Sequence, residues 1–183
     1  IRDYKVTGVQ TCALPICWTL GPLKVTTDIR CTTLRLPEFR GRRAPMADAL
    51  RTWLEKKIRD DGVTLVAYEA PIPSHKGINS GRVGQGRPWI VELVCYDHSI
   101  QCFAETPDVV RQHFIGQSRA PVAVKRQGKG AGRKWLKQKT MTRCRELGYS
   151  FKNDDEADAI ELRDLIVFQE TGARHGDLFK QTA

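Results

Sequence analysis

The chain has 183 residues, of which 40% are hydrophobic and 28% are charged, and its formal net charge is +9. This composition excludes a disordered or collagen-like chain, and no apolar run is long enough to span a bilayer. The excess of basic residues favours a polyanionic partner, most often nucleic acid.

The first residues are not typical of a folded domain. The stretch VTGVQTCALPI, residues 6–16, shows no helix or strand period. When it is back-translated, it fits a widely used short-read sequencing adapter without interruption, and residues 1–3 fit the adapter bases upstream. We therefore interpret residues 1–17 as an adapter-derived artefact fused to a truncated gene, and exclude them from fold prediction. Residues 18–183 have the length of a single domain, with a C-terminal tail from about residue 171.

Strands and helices alternate along the first half of this domain. Residues 23–36 predict two short strands, and residues 45–61 predict an amphipathic helix that begins with a proline and ends before a glycine. Residues 63–69, VTLVAYE, predict a buried strand that places Glu69 at its carboxyl end. A Gly- and Ser-rich, mobile loop is predicted over residues 72–87.

The next segments continue this alternation. A helix is predicted over residues 88–98, with four apolar residues facing inward: Trp89, Ile90, Leu93 and Val94. Residues 100–105 predict a strand, and Thr106 caps a short helix that begins at Pro107.

The last third of the chain is basic and then acidic. Residues 118–133 form a basic, Gly-containing segment in which VAVK, residues 122–125, is weighed as a strand. A strongly basic helix is predicted over residues 134–147, closed by Gly148, and a final helix follows over residues 154–171, capped by Asn153 or Asp154. The pattern as a whole predicts one α/β domain.

Four cysteines lie outside the adapter-derived segment: Cys31, Cys95, Cys102 and Cys144. They form no C-x-x-C pair and their spacings are irregular, which favours neither a zinc site nor a disulfide framework. We expect reduced thiols in a cytoplasmic protein.

Three acidic residues are candidates for a metal site. Asp155 and Asp158 are three residues apart on the last predicted helix, so both carboxylates lie on one face. Asp158 stands among small and apolar residues, where an ionised carboxylate is costly unless it is paired or bound to a cation. Together with Glu69, these carboxylates could hold Mg²⁺ for phosphodiester hydrolysis. The alternative is that Glu69 is an exposed or capping residue and that the acidic turn only complements the helix dipole.

A dense basic stretch is the candidate DNA-binding segment. Its residues are Lys125, Arg126, Lys129, Arg133, Lys134 and Lys137. Lysine and arginine contacts with phosphates give an affinity that does not depend on sequence and falls with salt. The alternative is a solvated basic helix face without a ligand.

Three motifs follow one another along the domain: YEAP at 68–71, TPDVVRQHFIG at 106–116 and GYSFKNDDEADAIEL at 148–162. In this order and spacing they resemble the RuvC-like Holliday junction resolvases, in particular the phage-type branch of that ribonuclease H-like superfamily. The resemblance covers residues 18–169. It implies an α/β fold in which helices flank a mixed sheet.

The resemblance also implies a set of four acidic residues. Glu69 matches the second acid, and Asp155 and Asp158 match a final D-x-x-D pair. The family's first acid lies on the opening strand, in a pattern like D-P-x-x-x-x-G-W that ends here at Trp18. Adapter-derived sequence therefore replaces the first strand and its acid. The first member of the final pair is left open among three neighbours: Asp154, Asp155 and Glu156.

By this resemblance we expect a metal-dependent endonuclease that cleaves branched DNA, such as four-way junctions, by two-metal chemistry. Mg²⁺ is the expected cofactor, with Mn²⁺ as a substitute. A homodimer in the cytoplasm of a bacterial or phage-infected cell is expected, without membrane association. Because the first acid is missing, we expect this chain to be impaired or inactive, and we expect a groove where the central strand is lost. Two alternatives remain: a non-catalytic DNA-binding module of the same fold, and a ribonuclease H-like nuclease with another substrate.

Overall fold

The computed structural model describes residues 5–10, 16–22, 26, 29–34, 36, 44–71 and 78–173. Their strands form one sheet: β1 (Lys5–Gln10), β2 (Ile16–Pro22), β3 (Arg30–Leu34), β4 (Leu65–Glu69) and β5 (Gln101–Glu105). The strand order is β3-β2-β1-β4-β5. The first three strands are antiparallel, and β1, β4 and β5 are parallel. The predicted mixed sheet is confirmed, and of the two strands predicted over residues 23–36 the second corresponds to β3.

The central position of the sheet is occupied by residues that were excluded from the fold prediction. β1 pairs with both of its neighbours, so that Val9 is in register with Trp18 of β2 and with Tyr68 of β4. The expected groove is filled, and that prediction was wrong. The physical reason is that strand pairing uses backbone N–H and C=O groups, which any residue except proline supplies in full. The segment KVTGVQ also contains Val and Thr, which favour extended structure.

The described residues form helices on both faces of the sheet: α1 (Ala44–Asp61), α2 (Ile78–Asp97), α3 (Pro107–Ile115), α4 (Val122–Lys125), α5 (Ala131–Glu146) and α6 (Asp154–Thr171). Val66 and Tyr68 of β4 share a core with buried residues of α1 and α2. Leu65 and Ala67 share a core with α6. Because successive strand residues point to opposite faces, a strand covered on both sides is apolar throughout, as β4 is.

Helix α2 differs from its prediction at its start and in its orientation. Residues 78–87, predicted as part of a loop, belong to the helix. Trp89 is 72% exposed and Leu93 is 51% exposed, so neither faces inward. The buried side of the helix is formed by Val91, Val94 and Cys95. The apolar residues of this segment make two adjacent stripes at helical spacing, one that contains Trp89 and Leu93 and one that contains Val91 and Val94. Only the stripe with Val91 and Val94 is buried against the core.

The VAVK stretch is a helix and not a strand. The backbone N–H groups of Val124 and Lys125 both donate to the carbonyl of Pro121 at 3.1 Å, which closes one helical turn. The predicted α3 is confirmed, with Thr106 in extended conformation before Pro107 and Gly116 at its C-terminus in the left-handed region.

Helix α3 is tied to α6 by a polar pair. His113 Nε2 lies 3.0 Å from Asp164 Oδ2, and both side chains are largely buried. The imidazole also stacks on Phe168, with ring centroids 5.0 Å apart. These contacts help to hold α6 in place within the layer on this face of the sheet.

Candidate active site

The start of α6 is held by a reciprocal cap. Asn153 Oδ1 accepts a hydrogen bond from the backbone N–H of Glu156, and Glu156 Oε2 accepts one from the backbone N–H of Lys152, each at 2.8 Å. These bonds satisfy N–H groups at the helix start, where intrahelical partners are lacking. Asn153 is therefore the cap, and the buried Glu156 carboxylate is engaged in holding the helix end.

Three aspartates at this helix end surround one ammonium group. Lys137, on α5, places its Nζ 2.5 Å from Asp154 Oδ2, 2.9 Å from Asp155 Oδ1 and 3.7 Å from Asp158 Oδ2. The side chain of Asp158 is only 6% exposed and that of Lys137 is 18% exposed. Burying a charge is costly unless it is paired, and the ammonium of Lys137 offsets part of the negative charge around the nearly buried Asp158.

The ion pairs shift the protonation equilibria of both partners. Burial alone would lower the pKa of Lys137, but the hydrogen bonds with Asp154 and Asp155 outweigh burial and raise this pKa above its ordinary value. The same hydrogen bond from Lys137 lowers the pKa of Asp154. The side chain of Lys137 is therefore protonated when it lies beside these carboxylates.

Glu161 lies on α6 almost one turn beyond Asp158 and is 3% exposed. Burial raises the pKa of this carboxyl group well above its usual value, and the negative charges of Asp158 and Glu69 raise it further. The hydroxyl of Thr140 donates to Glu161 Oε2 at 2.8 Å. The neutral form of Glu161 is therefore favoured. Its pKa depends on the charge of Glu69 on β4 and on the charge of Asp158 on α6.

The carboxyl ends of the parallel strands meet at this edge of the sheet. Glu69 of β4 is in register with Glu105 of β5, and Glu105 Oε1 accepts a hydrogen bond from Gln169 Nε2 at 2.7 Å. On the other side, Val9 is in register with Tyr68, so the next position along β1, Gln10, is beside Glu69. The opening strand thus ends without a carboxylate.

The donor chemistry of this edge fits a divalent metal ion in part. Carboxylate oxygens are the ligands that Mg²⁺ and Mn²⁺ prefer, and the ammonium of Lys137 stands in for a cation among three of them. Among the described residues, however, no three His, Cys, Asp or Glu side chains are arranged so that they could hold a metal ion. The reason is that the ammonium of Lys137 already binds the aspartates, and that β1 contains no aspartate or glutamate to add a ligand.

The predicted DNA-binding residues lie on α4, on α5 and in the turn between these helices. Lys125, Arg126 and Lys129 are exposed on α4 and in the turn after it. Gly128 and Gly130 have positive φ values of 135° and 87°, which allow the chain to turn sharply into α5.

A cleft of about 470 Å³ opens on the same side of the molecule. Arg133 and Lys134 line it together with Lys137 and Asp154. Five of the six predicted residues are therefore exposed to solvent, two of them in the cleft beside Asp154, whereas Lys137 is engaged by the aspartates.

Solved structures share this architecture. The Thermus thermophilus RuvC structure matches with a TM-score of 0.61 at 11% identity, over 92% of this chain and 96% of that chain. T. thermophilus RuvC in complex with Holliday junction substrate matches with a TM-score of 0.65 at 12% identity, over 94% and 96%. The fold is RuvC-like. The yeast mitochondrial Holliday junction resolvase Ydc2 gives 0.56 at 11% identity, over 99% and 85%.

No family model and no curated protein matches the sequence. The RuvC-like fold is an α/β fold of the ribonuclease H type, so the predicted fold class is confirmed. No helix in the described part of the chain is both long and apolar enough to cross a membrane.

One acid of the site, Glu161, and one acid of the neighbouring strand, Glu105, were missed in the sequence. Glu161 continues the row of Asp155 and Asp158 at intervals of three residues, so its spacing was a usable signal. Glu105 ends the strand next to that of Glu69, which is the same signal that identified Glu69. The engagement of Lys137 by the aspartates had no signal in the sequence, because it depends on how α5 packs against α6.

Proposed function

We propose that this chain has the site of a divalent-metal-dependent endonuclease of the resolvase type that acts on branched DNA, and that it is inactive or nearly so until an acid is present on the opening strand. The observation that carries this proposal is the group of three aspartates, Asp154, Asp155 and Asp158, around one cationic group on a RuvC-like fold. The structural neighbours support the substrate class, since one is a complex with Holliday junction substrate and another is named a Holliday junction resolvase.

Glu69, Asp155 and Asp158 are the residues that would hold Mg²⁺ or Mn²⁺. When bound, such ions stabilise the attacking and leaving oxygens of phosphodiester hydrolysis. Because Glu156 is used in the helix cap, the first member of the helical acid pair is Asp154 or Asp155, of which Asp155 has the D-x-x-D spacing. Glu161 in its neutral form limits the repulsion among the remaining carboxylates.

The basic residues bind the DNA backbone in this proposal. Lys125, Arg126, Lys129, Arg133 and Lys134 are exposed on the side of the molecule that carries the acidic site. Contacts of this kind position a duplex without selecting a sequence. A four-way junction differs from a duplex in shape and not in sequence. To cut it symmetrically, two active sites must each approach one of two DNA strands.

A homodimer supplies the second site. The exposed face of α2 carries Trp89, Leu93 and Tyr96, which are 72%, 51% and 82% exposed and lie at helical spacing. Large apolar side chains in a row are unusual on a monomer surface and typical of interfaces. We propose that this stripe packs against the same stripe of a second copy.

The test is cleavage of a synthetic four-way junction compared with a linear duplex and an RNA–DNA hybrid, with Mg²⁺ and with EDTA. The protein tested should carry an aspartate in place of Gln10 at the end of β1. Junction-selective, metal-dependent cleavage supports the proposal. Cleavage of the hybrid alone would instead identify a ribonuclease H-like activity, and cleavage of every substrate would contradict the junction preference.

A second candidate is a DNA-binding module without chemistry. It is favoured by one observation, that Lys137 is bound by three of the acidic residues while β1 ends in Gln10. Junction binding without cleavage, even after an acid is introduced on β1, would select this candidate.

A further inference from the structure

The ammonium group of Lys137 occupies the position that a cation would take among the helix-borne aspartates. It contacts oxygens of Asp154, Asp155 and Asp158 at 2.5, 2.9 and 3.7 Å. Two of these aspartates are the ones proposed to hold the metal. An oxygen that accepts a charged hydrogen bond from an ammonium is not free to ligate a hard cation in the same direction.

The local charge balance favours an exchange over a permanent pair. Three carboxylates against one ammonium leave two uncompensated negative charges on one helix end, and like charges at this separation repel. A divalent ion neutralises more of this charge than a lysine does. It would therefore compete with Lys137 for the same oxygens.

A displaced Lys137 side chain can move into the neighbouring cleft. Lys137 lies at the boundary between the aspartates and the cleft that Arg133 and Lys134 also line. Its side chain is a flexible four-carbon stem, so the ammonium can leave the aspartates without a movement of α5. In the cleft it would join two other cations, an arrangement that becomes favourable when an anionic phosphate is bound between them.

We infer that Lys137 is a built-in counter-ion that a divalent cation displaces, and that the released ammonium binds a DNA phosphate in the cleft beside Arg133 and Lys134. The inference rests on the proposed function in taking Asp155 and Asp158 as metal-binding residues. Metal and DNA then bind cooperatively through one side chain, and each raises the affinity of the other by the same factor.

The first test measures Mn²⁺ binding by calorimetry and by the loss of the free-ion electron paramagnetic resonance signal. Lys137→Met removes the ammonium and keeps most of the side chain, and Lys139→Met is the matched control, since Lys139 is exposed on the same helix and lies over Trp135 outside the cleft. We expect Lys137→Met to bind Mn²⁺ at least about tenfold more tightly than the unaltered chain, equivalent to ~1.4 kcal/mol. Lys139→Met should bind as the unaltered chain does.

The second test measures junction affinity by fluorescence anisotropy, with Ca²⁺ and with EDTA. Ca²⁺ should increase the affinity of the unaltered chain, and this increase should be lost in Lys137→Met but kept in Lys139→Met. Circular dichroism of each variant checks that it is folded. If Lys137→Met does not fold, Lys137→Gln, which keeps a hydrogen-bond donor, replaces it with the same expectations.

The possible outcomes separate the inference from the proposed function. If Asp158→Asn loses Mn²⁺ binding but Lys137→Met binds Mn²⁺ equally or more weakly, the site is real and the displacement is wrong. If neither the unaltered chain nor Lys137→Met binds Mn²⁺, the metal site itself is wrong, and the inference is overturned with it.

Discussion

At the scale of single residues, the acidic side chains of α6 have different tasks although they are close in sequence. Glu156 closes the helix cap, Asp154 and Asp155 accept from Lys137 near the surface, and Asp158 is nearly buried. Glu161 is buried deeper and favours its neutral form. The environment of each carboxyl group, and not its residue type, decides which of them can ligate a cation.

The first prediction concerns the missing carboxylate of the opening strand. The unaltered chain should be inactive or nearly so, because it has one acid fewer than the four that the sequence resemblance implies, and fewer carboxylates hold metal ions less firmly. Gln10→Asp places an acid beside Glu69 and should give Mg²⁺- or Mn²⁺-dependent junction cleavage in a gel assay. Counting the D-P-x-x-x-x-G-W pattern back from Trp18 instead gives Thr11, so Thr11→Asp is the matched comparison. Strong cleavage by the unaltered chain would contradict the account of a lost acid.

The second prediction concerns Asp158. In the active background, Asp158→Asn should lower the cleavage rate by about a thousandfold or more, which corresponds to ~4 kcal/mol of transition-state stabilisation. Junction binding should remain largely intact, because Asp158 is almost inaccessible to DNA. Asp60→Asn on α1 is the control and should cleave normally. Full activity of Asp158→Asn would exclude this residue from the metal site.

The third prediction follows from the raised pKa of Glu161, whose first cause is burial. In the folded state the acid stays protonated above its unfolded pKa of about 4.3, so its contribution to stability is complete below that pH and is lost as pH rises through the folded pKa. Glu161→Gln keeps the neutral shape and should become more stable than the unaltered chain as pH increases from about 5 to about 8.

Thermal unfolding across this pH range measures the effect of Glu161→Gln. The control is Glu146→Gln, since Glu146 is 58% exposed and paired only at the surface. A difference in Tm that is the same at every pH would mean that Glu161 is ionised in the folded protein.

At the scale of elements, the sequence predicted the segments whose local signals agree with their packing. Helix α1 has one apolar stripe, and β4 is a short apolar run, so period and length identify them. Helix α6 has both a cap and a polar first turn. In these elements the residues at each end determine where the helix or strand begins and stops.

The remaining elements depend on contacts distant in sequence. The first half of α2 contains several glycines and Pro88, which favour a loop locally, yet it is continuous with a second half whose residues Val91, Val94 and Cys95 are buried in the core. The inward face of α2 could not be chosen from its sequence, because two apolar stripes compete. Likewise, nothing local reveals that Lys137 reaches across to α6.

The fourth prediction belongs to the basic segment around α4 and the start of α5. Neutralising Lys125, Arg126, Lys129 and Arg133 together should weaken junction binding for all sequences. The slope of log affinity against log salt should flatten by about one unit for each DNA phosphate that the variant no longer neutralises. Anisotropy titrations between low and moderate salt measure both quantities.

A charge-matched control is available on the opposite face of the sheet. Here two double variants are compared, one that neutralises Lys125 and Arg126 and one that neutralises Lys56 and Arg59 on α1. Each removes two positive charges, but the second removes them from the layer that does not contain the acidic site. Equal decreases in affinity in the two double variants would show that only net charge matters. Unchanged binding by the fourfold variant would remove the basic segment from the interface.

At the scale of the whole molecule, the sheet separates two layers with different roles. Helices α3, α5 and α6 carry the acidic site and the basic cleft, whereas α1 and α2 form the other layer. The exposed apolar stripe therefore lies on the layer away from the acidic residues. Two copies that associate through α2 can keep both acidic sites open to DNA.

The fifth prediction tests that association. The double variant Trp89→Ser and Tyr96→Ser should shift a dimer to monomer in sedimentation velocity experiments, because it removes the two largest exposed apolar side chains of the stripe. Val122→Ser is the control, since Val122 is 62% exposed on α4. A dimer that persists in the double variant would place the interface elsewhere.

The central strand has one more consequence, because a single short run of the chain, Lys5–Gln10, supplies it by backbone pairing. Such a strand can in principle be delivered by a second molecule. A protein that begins at Ile16 would accept a synthetic peptide between β2 and β4, and peptides with or without an acid at the position of Gln10 could be exchanged on the same preparation. With the split protein, the effect of one residue on metal binding and cleavage could be measured by adding increasing amounts of each peptide.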